Sequence, residues 1–328
     1  MQDLVSIITP CYNGEKYLDR FFVSLLEQTY PNVELIFIND GSTDSTEQVA
    51  LEYGEKLKAR GYGFTYIYQH NLGQSAAINQ GLKCFKGKYL NWTDSDDYLT
   101  PDSLSIRVQF LEDHPDVGLV IGKTVLVDDS QYSQIGLLGN MRINMMSSKE
   151  MIEDYLRGSF TNPCCSTMVR SAMFRSAMPE DLKIEEVREI GQNYQLFLPI
   201  IFKYPVRFIP NILSYCVIHK DSHSHATKSF EQKLHIQDVA KKTLISIANR
   251  IQTNEEDIKW FKSKIDEYDC KNRLEILQHH KRKDSLDELV GKMKELGCYD
   301  AVSKKIVLKI KYPLLKKVSD RIWEFRNK

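Results

Sequence analysis

The stretch Val33–Gly61, VELIFINDGSTDSTEQVALEYGEKLKARG, decides how the chain is read. Val33–Asp40 is a short run rich in apolar and β-branched residues, which suits a buried strand. Gly41 supplies a permissive turn, and Ser42, Thr43 or Asp44 can accept the orphan N–H groups of a following helix. Asp44 stands three before Glu47, a capping-box-like start for the helix that runs to Gly61. The same strand, polar turn and helix recur on either side. LVSIIT (4–9) precedes a helical run at 14–28, and FTYIYQ (64–69) precedes SAAINQGLKCFKG. KYLNWT (88–93) precedes a helix expected to be capped by Thr100 with Pro101 in its first turn, and VGLVIG (117–122) follows as a fifth strand. Such alternation predicts an α/β fold, a mostly parallel sheet with helices on both faces. Ligands of these sheets bind at the carboxyl ends of the strands. Four polar loops fall there: 10–13, 39–42, 70–73 and 94–97.

The rest of the chain bounds the answer. Its 328 residues carry zero formal net charge, with 42% hydrophobic and 27% charged residues, so the basic excess of a nucleic-acid binder is missing. No apolar run approaches the roughly 20 residues that span a bilayer, and MQDLVSIITPCYNG enters a strand at once. Seven cysteines without a CxxC pair suit a reducing compartment, and a cytoplasmic location is expected. The pattern loosens over 130–162, which reads as a mobile segment over the site, and a helix is expected over Ile190–Lys203. Past about residue 226 the chain is helical in pattern, so two domains are expected, 1–225 and 226–328. The last 28 residues hold nine Lys or Arg against two Asp or Glu, with a broad apolar side. That segment would lie on an anionic membrane face, or pack on the helical region or a second subunit.

Asp94, Asp96 and Asp97 fall within four residues of NWTDSDDYLTP, and like charges so close repel. The next helix already has its caps, so these carboxylates are not needed there. On an extended segment Asp94 and Asp96 share one side. A divalent cation of the hard class (magnesium, manganese or calcium) is the usual way to hold them.

SIITPCYNGEKYL, NDGSTDST, NLGQSAAINQG and TDSDDYL, in that order, resemble the successive signatures of family 2 glycosyltransferases, which have the Rossmann-like GT-A fold. The resemblance covers about residues 4–225. It implies an inverting, metal-dependent transfer of a hexose or N-acetylhexosamine from a UDP-sugar to a hydroxyl of a glycan, lipid-linked or protein acceptor, as in polysaccharide biosynthesis. Pro10, Tyr12 and Asp40 would hold the base, with Asn13 in the same donor site. Asn71 and Gly73 would sit beside the nucleotide, and Asp94 would touch the ribose or sugar. Asp96 would bind manganese or magnesium through the diphosphate. HKDSHSH is similar to the segment that closes over the diphosphate, making His219 a metal or phosphate ligand and Ser222 a donor contact, with His225 a weaker candidate. Peripheral membrane contact and a homo-oligomer are further expectations.

Two departures stand out. Ile78 occupies a place where the family often has arginine. Gln192 and Asn193 stand where many members carry a Glu-Asp pair whose aspartate is the general base, and an amide takes no proton near neutral pH. Asp181, Glu185, Glu186 and Glu189 are the remaining carboxylates. Were the helix to extend upstream, Glu189 would lie one turn before Asn193 on the same face. Glu189 is therefore expected as the base and Asn193 as a group that orients the acceptor. The rival readings are a non-catalytic, nucleotide-sugar-binding partner subunit, which the amides favour, and an aspartate-based phosphatase or other metal hydrolase.

Overall fold

The computed structural model describes residues 2–130, 133–158, 163–219, 228–251 and 253–312. The chain divides into two compact units, Met1–Ala226 with Arg250–Thr253, and Thr227–Asn249 with Asn254–Lys328.

The first unit opens with three strand–helix repeats: β1 (Val5–Cys11), α1 (Glu15–Leu26), β2 (Val33–Asp40), α2 (Thr46–Ala59), β3 (Gly63–Gln69) and α3 (Gln74–Cys84). β4 (Tyr89–Trp92) and the two-residue β5 (Tyr98–Leu99) lead into α4 (Ser103–Asp113). β6 (Leu119–Asp128), β7 (Ser133–Leu138), α5 (Ser148–Leu156), β8 (Thr167–Arg170), α6 (Ser171–Ala177), α7 (Asn193–Lys203) and β9 (Val206–Ile218) complete it. The strands run in the order β3-β2-β1-β4-β8-β6-β9-β5, with β7 on the outer side of β6. β3, β2, β1 and β4 are mutually parallel.

The reason for this arrangement is legible residue by residue. α1 buries Tyr17, Leu18, Phe21, Phe22 and Leu25, an apolar stripe at three- and four-residue spacing. β1 and β2 are almost wholly buried, as strands covered on both faces must be. α3 lies on β1 at Gly81, where a Cβ would meet Ile8 Cγ2 at 2.5 Å.

Several expectations are corrected. The fifth strand is Leu119–Asp128 and not 117–122, and β8, which the sequence pattern did not mark, lies between it and β4, antiparallel to both. The 130–162 stretch is not irregular where described. β7 forms a hairpin with β6, a 3-10 turn covers Met141–Met145, and α5 starts with a complete capping box between Ser147 and Glu150. α4 begins at Ser103 rather than at Pro101, because Thr100–Asp102 makes a turn first, with Ser103 N–H donating to the Thr100 carbonyl. α7 begins at Asn193, and 188–190 are bends.

The second unit consists, among its described residues, of α8 (Phe230–Arg250), α9 (Glu255–His279), α10 (Leu286–Glu295) and α11 (Ala301–Lys311). Cys270, Leu274, Leu277, Leu286, Met293, Val307 and Ile310 form its apolar core. Asp269, 3% exposed, is satisfied by Lys241, Arg273 and Gln237, the paired arrangement a buried carboxylate requires. The first part of the basic tail packs by Ser303, Val307 and Ile310 and leaves Val302 and Leu308 exposed. The remainder, 313–328, lies outside the described residues. No described helix is long and apolar enough to cross a membrane.

The close approach of α3 to β1 yields a prediction. Gly81→Ala would gain about 1 kcal/mol of helix propensity. It would lose about 1–3 kcal/mol by overpacking Ile8, which is fully buried. Net destabilisation is expected in urea unfolding; a stabilised variant would mean that the helix can slide on the sheet.

Candidate functional site

The four loops at the carboxyl ends of β1 to β4 are tied to one another by side chains that satisfy backbone N–H groups. Asn13, held at φ 49°, accepts from Thr43 N at 2.8 Å, and its own N–H donates to Ser42 Oγ at 2.9 Å. Gly14 N donates to Thr46 Oγ1 at 2.8 Å. Asp44 Oδ1 accepts from Thr46 N, the first residue of α2, at 3.0 Å, as expected, although the N-cap is Ser45 and not Asp44. Its Oδ2 accepts from Glu15 N at the start of α1 at 3.1 Å, while Glu15 accepts from Ser45 N at the start of α2 at 2.7 Å. Two helix starts thus cap each other across the sheet edge. NDGSTD and CYNGE are read best as two halves of one knot.

Asp40, 4% exposed, extends the knot to the third loop. It accepts from Gln69 Nε2 at 2.6 Å and from the N–H groups of Leu72 and Gly73, both at 2.9 Å. Gly73 sits at φ 95° and Gly41 at φ 77°, and a Cβ on Gly41 would meet Asn71 N at 2.6 Å, so both positions demand glycine. Gln74 then donates to Asp94 at 2.8 Å, closing the chain to the fourth loop. Beside this rim Tyr12 stands 48% exposed, while Pro10 is buried within β1.

The aspartates do not lie on an extended segment. β4 ends at Trp92, and Asp94–Asp97 close a turn in which Asp97 N donates to the Asp94 carbonyl at 3.1 Å. The strand-alternation argument for Asp94 and Asp96 therefore fails, though the turn keeps Asp96 close enough to raise the proton affinity of Asp94. Asp94 is pushed up to about 7, first by burial and then by Asp96. Asp97 points inward, 3% exposed, and accepts from Val217 N at 2.9 Å; burial, Asp96 and Asp94 raise it well above the carboxylate range. Asp96 turns to His219, whose Nε2 lies 2.9 Å from its Oδ2. The His219 ring stacks on Tyr17 at 4.8 Å. Ser222 and His225 lie outside the described residues.

Gln192 and Asn193 meet Cys164. The Cys164 thiol donates to Asn193 Oδ1 at 3.0 Å, and Gln192 Nε2 reaches its sulfur at 3.6 Å. Burial and Asp94 push the Cys164 thiol well up, so it stays a neutral donor. Arg107, fully buried on α4, donates to the Cys165 carbonyl at 2.8 Å and fixes the turn that carries Cys164. No local sequence signal marks either Cys164 or Arg107 for these roles. Glu189 is not on the helix, because α7 starts four residues later, and the shared-face argument for it falls. Its carboxylate accepts from Arg188 N at 3.2 Å.

The donor set fits a divalent cation. An imidazole nitrogen and a carboxylate oxygen 2.9 Å apart match adjacent corners of an octahedron with bonds of about 2.1 Å. No group of three or more His, Cys, Asp or Glu among the described residues could hold an ion alone. Phosphate oxygens and water would supply the remaining corners.

Comparison with known proteins agrees with this architecture. The model of glycosyl transferase family 2 matches residues 6–176, just over half of the chain. An uncharacterized glycosyltransferase of Rickettsia prowazekii is 41% identical over 132 residues, covering 40% of this chain and 39% of the relative. One of Rickettsia felis is 30% identical over 237 residues, covering 71% of this chain and 37% of the relative. The chain thus spans less than two-fifths of the length of these two relatives. Among solved structures, Staphylococcus aureus TarS residues 1–349 in complex with UDP-GlcNAc superposes with TM-score 0.64 at 15% identity, covering 97% of this chain and 89% of that one. A mannosyltransferase of Pyrobaculum calidifontis in complex with GDP-Man and Mn2+ gives TM-score 0.54 at 14% identity, covering 98% and 87%. A parallel sheet whose strand-end loops are knotted around a TDSDD turn, matched by that family model, makes this chain a member of glycosyl transferase family 2.

Proposed function

We propose that the chain moves a hexose or N-acetylhexosamine from a UDP-sugar to an acceptor hydroxyl, with inversion. One observation carries the reading: Tyr12, Asp40, Asn71, Gly73, Asp94 and the Asp96–His219 pair all belong to loops at one edge of the sheet or touch them. Tyr12 offers an exposed ring for a base to stack on, and Asp40 has acceptor capacity beyond its three bonds. The nucleotide complexes of TarS and the Mn2+ complex of the mannosyltransferase support a nucleotide sugar and a metal as the donor pair.

Asp96 and His219 would hold manganese or magnesium, which when bound would neutralise the departing diphosphate. The chain's own residues then orient the donor and take a proton from the acceptor. Gln192 and Asn193 cannot do the latter, and the Cys164 thiol is held neutral. Glu189, on the segment leading into α7, is proposed as the base, and Asn193 as a hydrogen-bonding guide for the acceptor. The amides also favour a second reading, a partner subunit that binds nucleotide sugar without turnover. The domain division at 225/226, membrane contact by the tail and a homo-oligomer stay as proposals that accompany the first reading.

Calorimetric titration of UDP separates these readings from a different donor. Wild type is expected to bind UDP with manganese, and Asp96→Ala to bind about 10–100-fold more weakly. Wild type that binds no UDP with or without manganese would remove the UDP-sugar reading. Glu189→Gln is expected to lower transfer about 10²–10⁴-fold while leaving UDP affinity intact. Unchanged transfer would reject Glu189, and UDP binding without transfer by the wild type to any glycan acceptor would favour the partner subunit.

The raised Asp94 carboxyl makes a pH prediction for the metal-free, nucleotide-free protein. An acid whose folded pKa of about 7 exceeds its unfolded value of about 3.9 holds its proton more tightly in the fold. Its contribution to stability is therefore lost as pH rises from about 4 to about 7. Asp94→Asn removes that loss. Thermal melts should show the variant gaining on the wild type between pH 4 and pH 8; an unchanged difference in Tm would refute the raised pKa.

A further inference from the structure

The segment 184–188 is held on both sides by side chains of its neighbours. Asn79 of α3, 4% exposed, accepts from Ile184 N at 3.0 Å and donates to the Ile184 carbonyl at 2.9 Å. Ser75 of α3 donates to the Val187 carbonyl at 3.3 Å. Gln195 of α7 pairs with the Glu185 backbone in both directions, at 2.6 and 3.0 Å. Two polar residues of NLGQSAAINQG thus serve as a clamp on this segment, and the clamp sets where Arg188 falls.

Arg188 falls on the third loop. Its Nη2 donates to the Asn71 carbonyl at 2.5 Å. Its Cγ lies 3.2 Å from where a Cβ on Gly73 would be, so the absence of a side chain at Gly73 is what admits it. The side chain is exposed and, among the described residues, pairs with no carboxylate. Two of the loop's own donors are spent, since Leu72 and Gly73 N–H both serve Asp40. Ile78, on the same helix, is fully buried and apolar. The rim carries the carboxyl groups of Asp40, Asp94 and Asp96. A diphosphate brings negative charge beyond what one divalent cation cancels. A guanidinium has five N–H donors in a planar fork suited to phosphate oxygens, and only one is engaged here.

We propose that Arg188 is a donor-binding residue that grips the diphosphate of the nucleotide sugar from the α7 side, opposite the Asp96–His219 pair. The proposal rests on the nucleotide-sugar reading above and adds to it the residue that balances the charge. The contact to the Asn71 carbonyl is then a parking position, exchanged for a charge-assisted bond when the donor arrives.

The test compares UDP with uridine, both with manganese, on the full chain. Arg188→Gln should weaken UDP about 10–100-fold and leave uridine within about twofold, because only the phosphates lose a partner. Arg188→Lys should fall between, keeping the charge without the fork. Thermal melts of both variants check that the loop still folds. Equal weakening of UDP and uridine would reduce Arg188 to a positioning residue for the 70–73 loop and overturn the proposal. UDP affinity unchanged in Arg188→Gln would overturn it while leaving the donor site standing. A wild type that binds neither ligand would overturn the donor-site reading and this proposal together.

Discussion

Side-chain oxygens of one strand-end loop satisfying the backbone N–H groups of the next is the interaction on which the site depends. A parallel sheet ends in separate loops, each with orphan donors at the start of its helix. Water could satisfy them one by one, and the loops would then move independently. Here Ser42, Thr46, Asp44, Glu15 and Asp40 accept those donors across the sheet edge. Loss of one loop's order therefore propagates to the next, and the rim behaves as one body. Such preorganisation lowers the entropy spent when a flexible diphosphate is bound.

The knot has an electrostatic counterpart. Asp94 and Asp97 are both raised by burial and by neighbouring carboxylates, and the thiols of Cys11, Cys164 and Cys165 are raised at the same margin. Burial is the first cause of each shift and nearby carboxylates add to it, and a cation brought to the rim would oppose every one of them. Asp97 differs from its neighbours in kind: with Val217 N bonded to it, it ties β9 to the turn and takes no part in an outward-facing set. The three carboxylates divide into one structural and two outward groups, a split that their adjacency in sequence hides.

Much of this was legible in the sequence. Strand and helix alternation fixed the parallel half, because each buried strand and amphipathic helix has its own apolar period. The four polar loops followed from the rule that ligands sit at carboxyl ends of strands. What was not legible came from long-range contacts. β8 inserts antiparallel between β4 and β6, a pairing set by residues about 50 to 80 positions apart, which local pattern does not encode. The ordered hairpin and α5 within 130–158 were hidden by a weak period, although Ser147 and Glu150 carried the capping-box signal. The expected start of α7 upstream of Asn193 failed for a similar reason. Gln195 uses its side chain on the Glu185 backbone, which draws the preceding chain into bends. Roles assigned to Asn13 as a donor contact have to share that residue with its work in the knot.

The amides at 192–193 are better understood through what they touch than through what they replace. An aspartate at 193 would face the Cys164 thiol, with Asp94 near enough to raise that thiol. A further carboxylate near Asp94 and the Cys164 thiol would raise the proton affinity of both. Asparagine avoids that conflict and still accepts from Cys164. The substitution is therefore self-consistent with a site in which the proton is taken elsewhere. Arg188 and Glu189 lie adjacent on the segment that Asn79 of α3 and Gln195 of α7 clamp, and so bring one charge of each sign next to these amides in the chain.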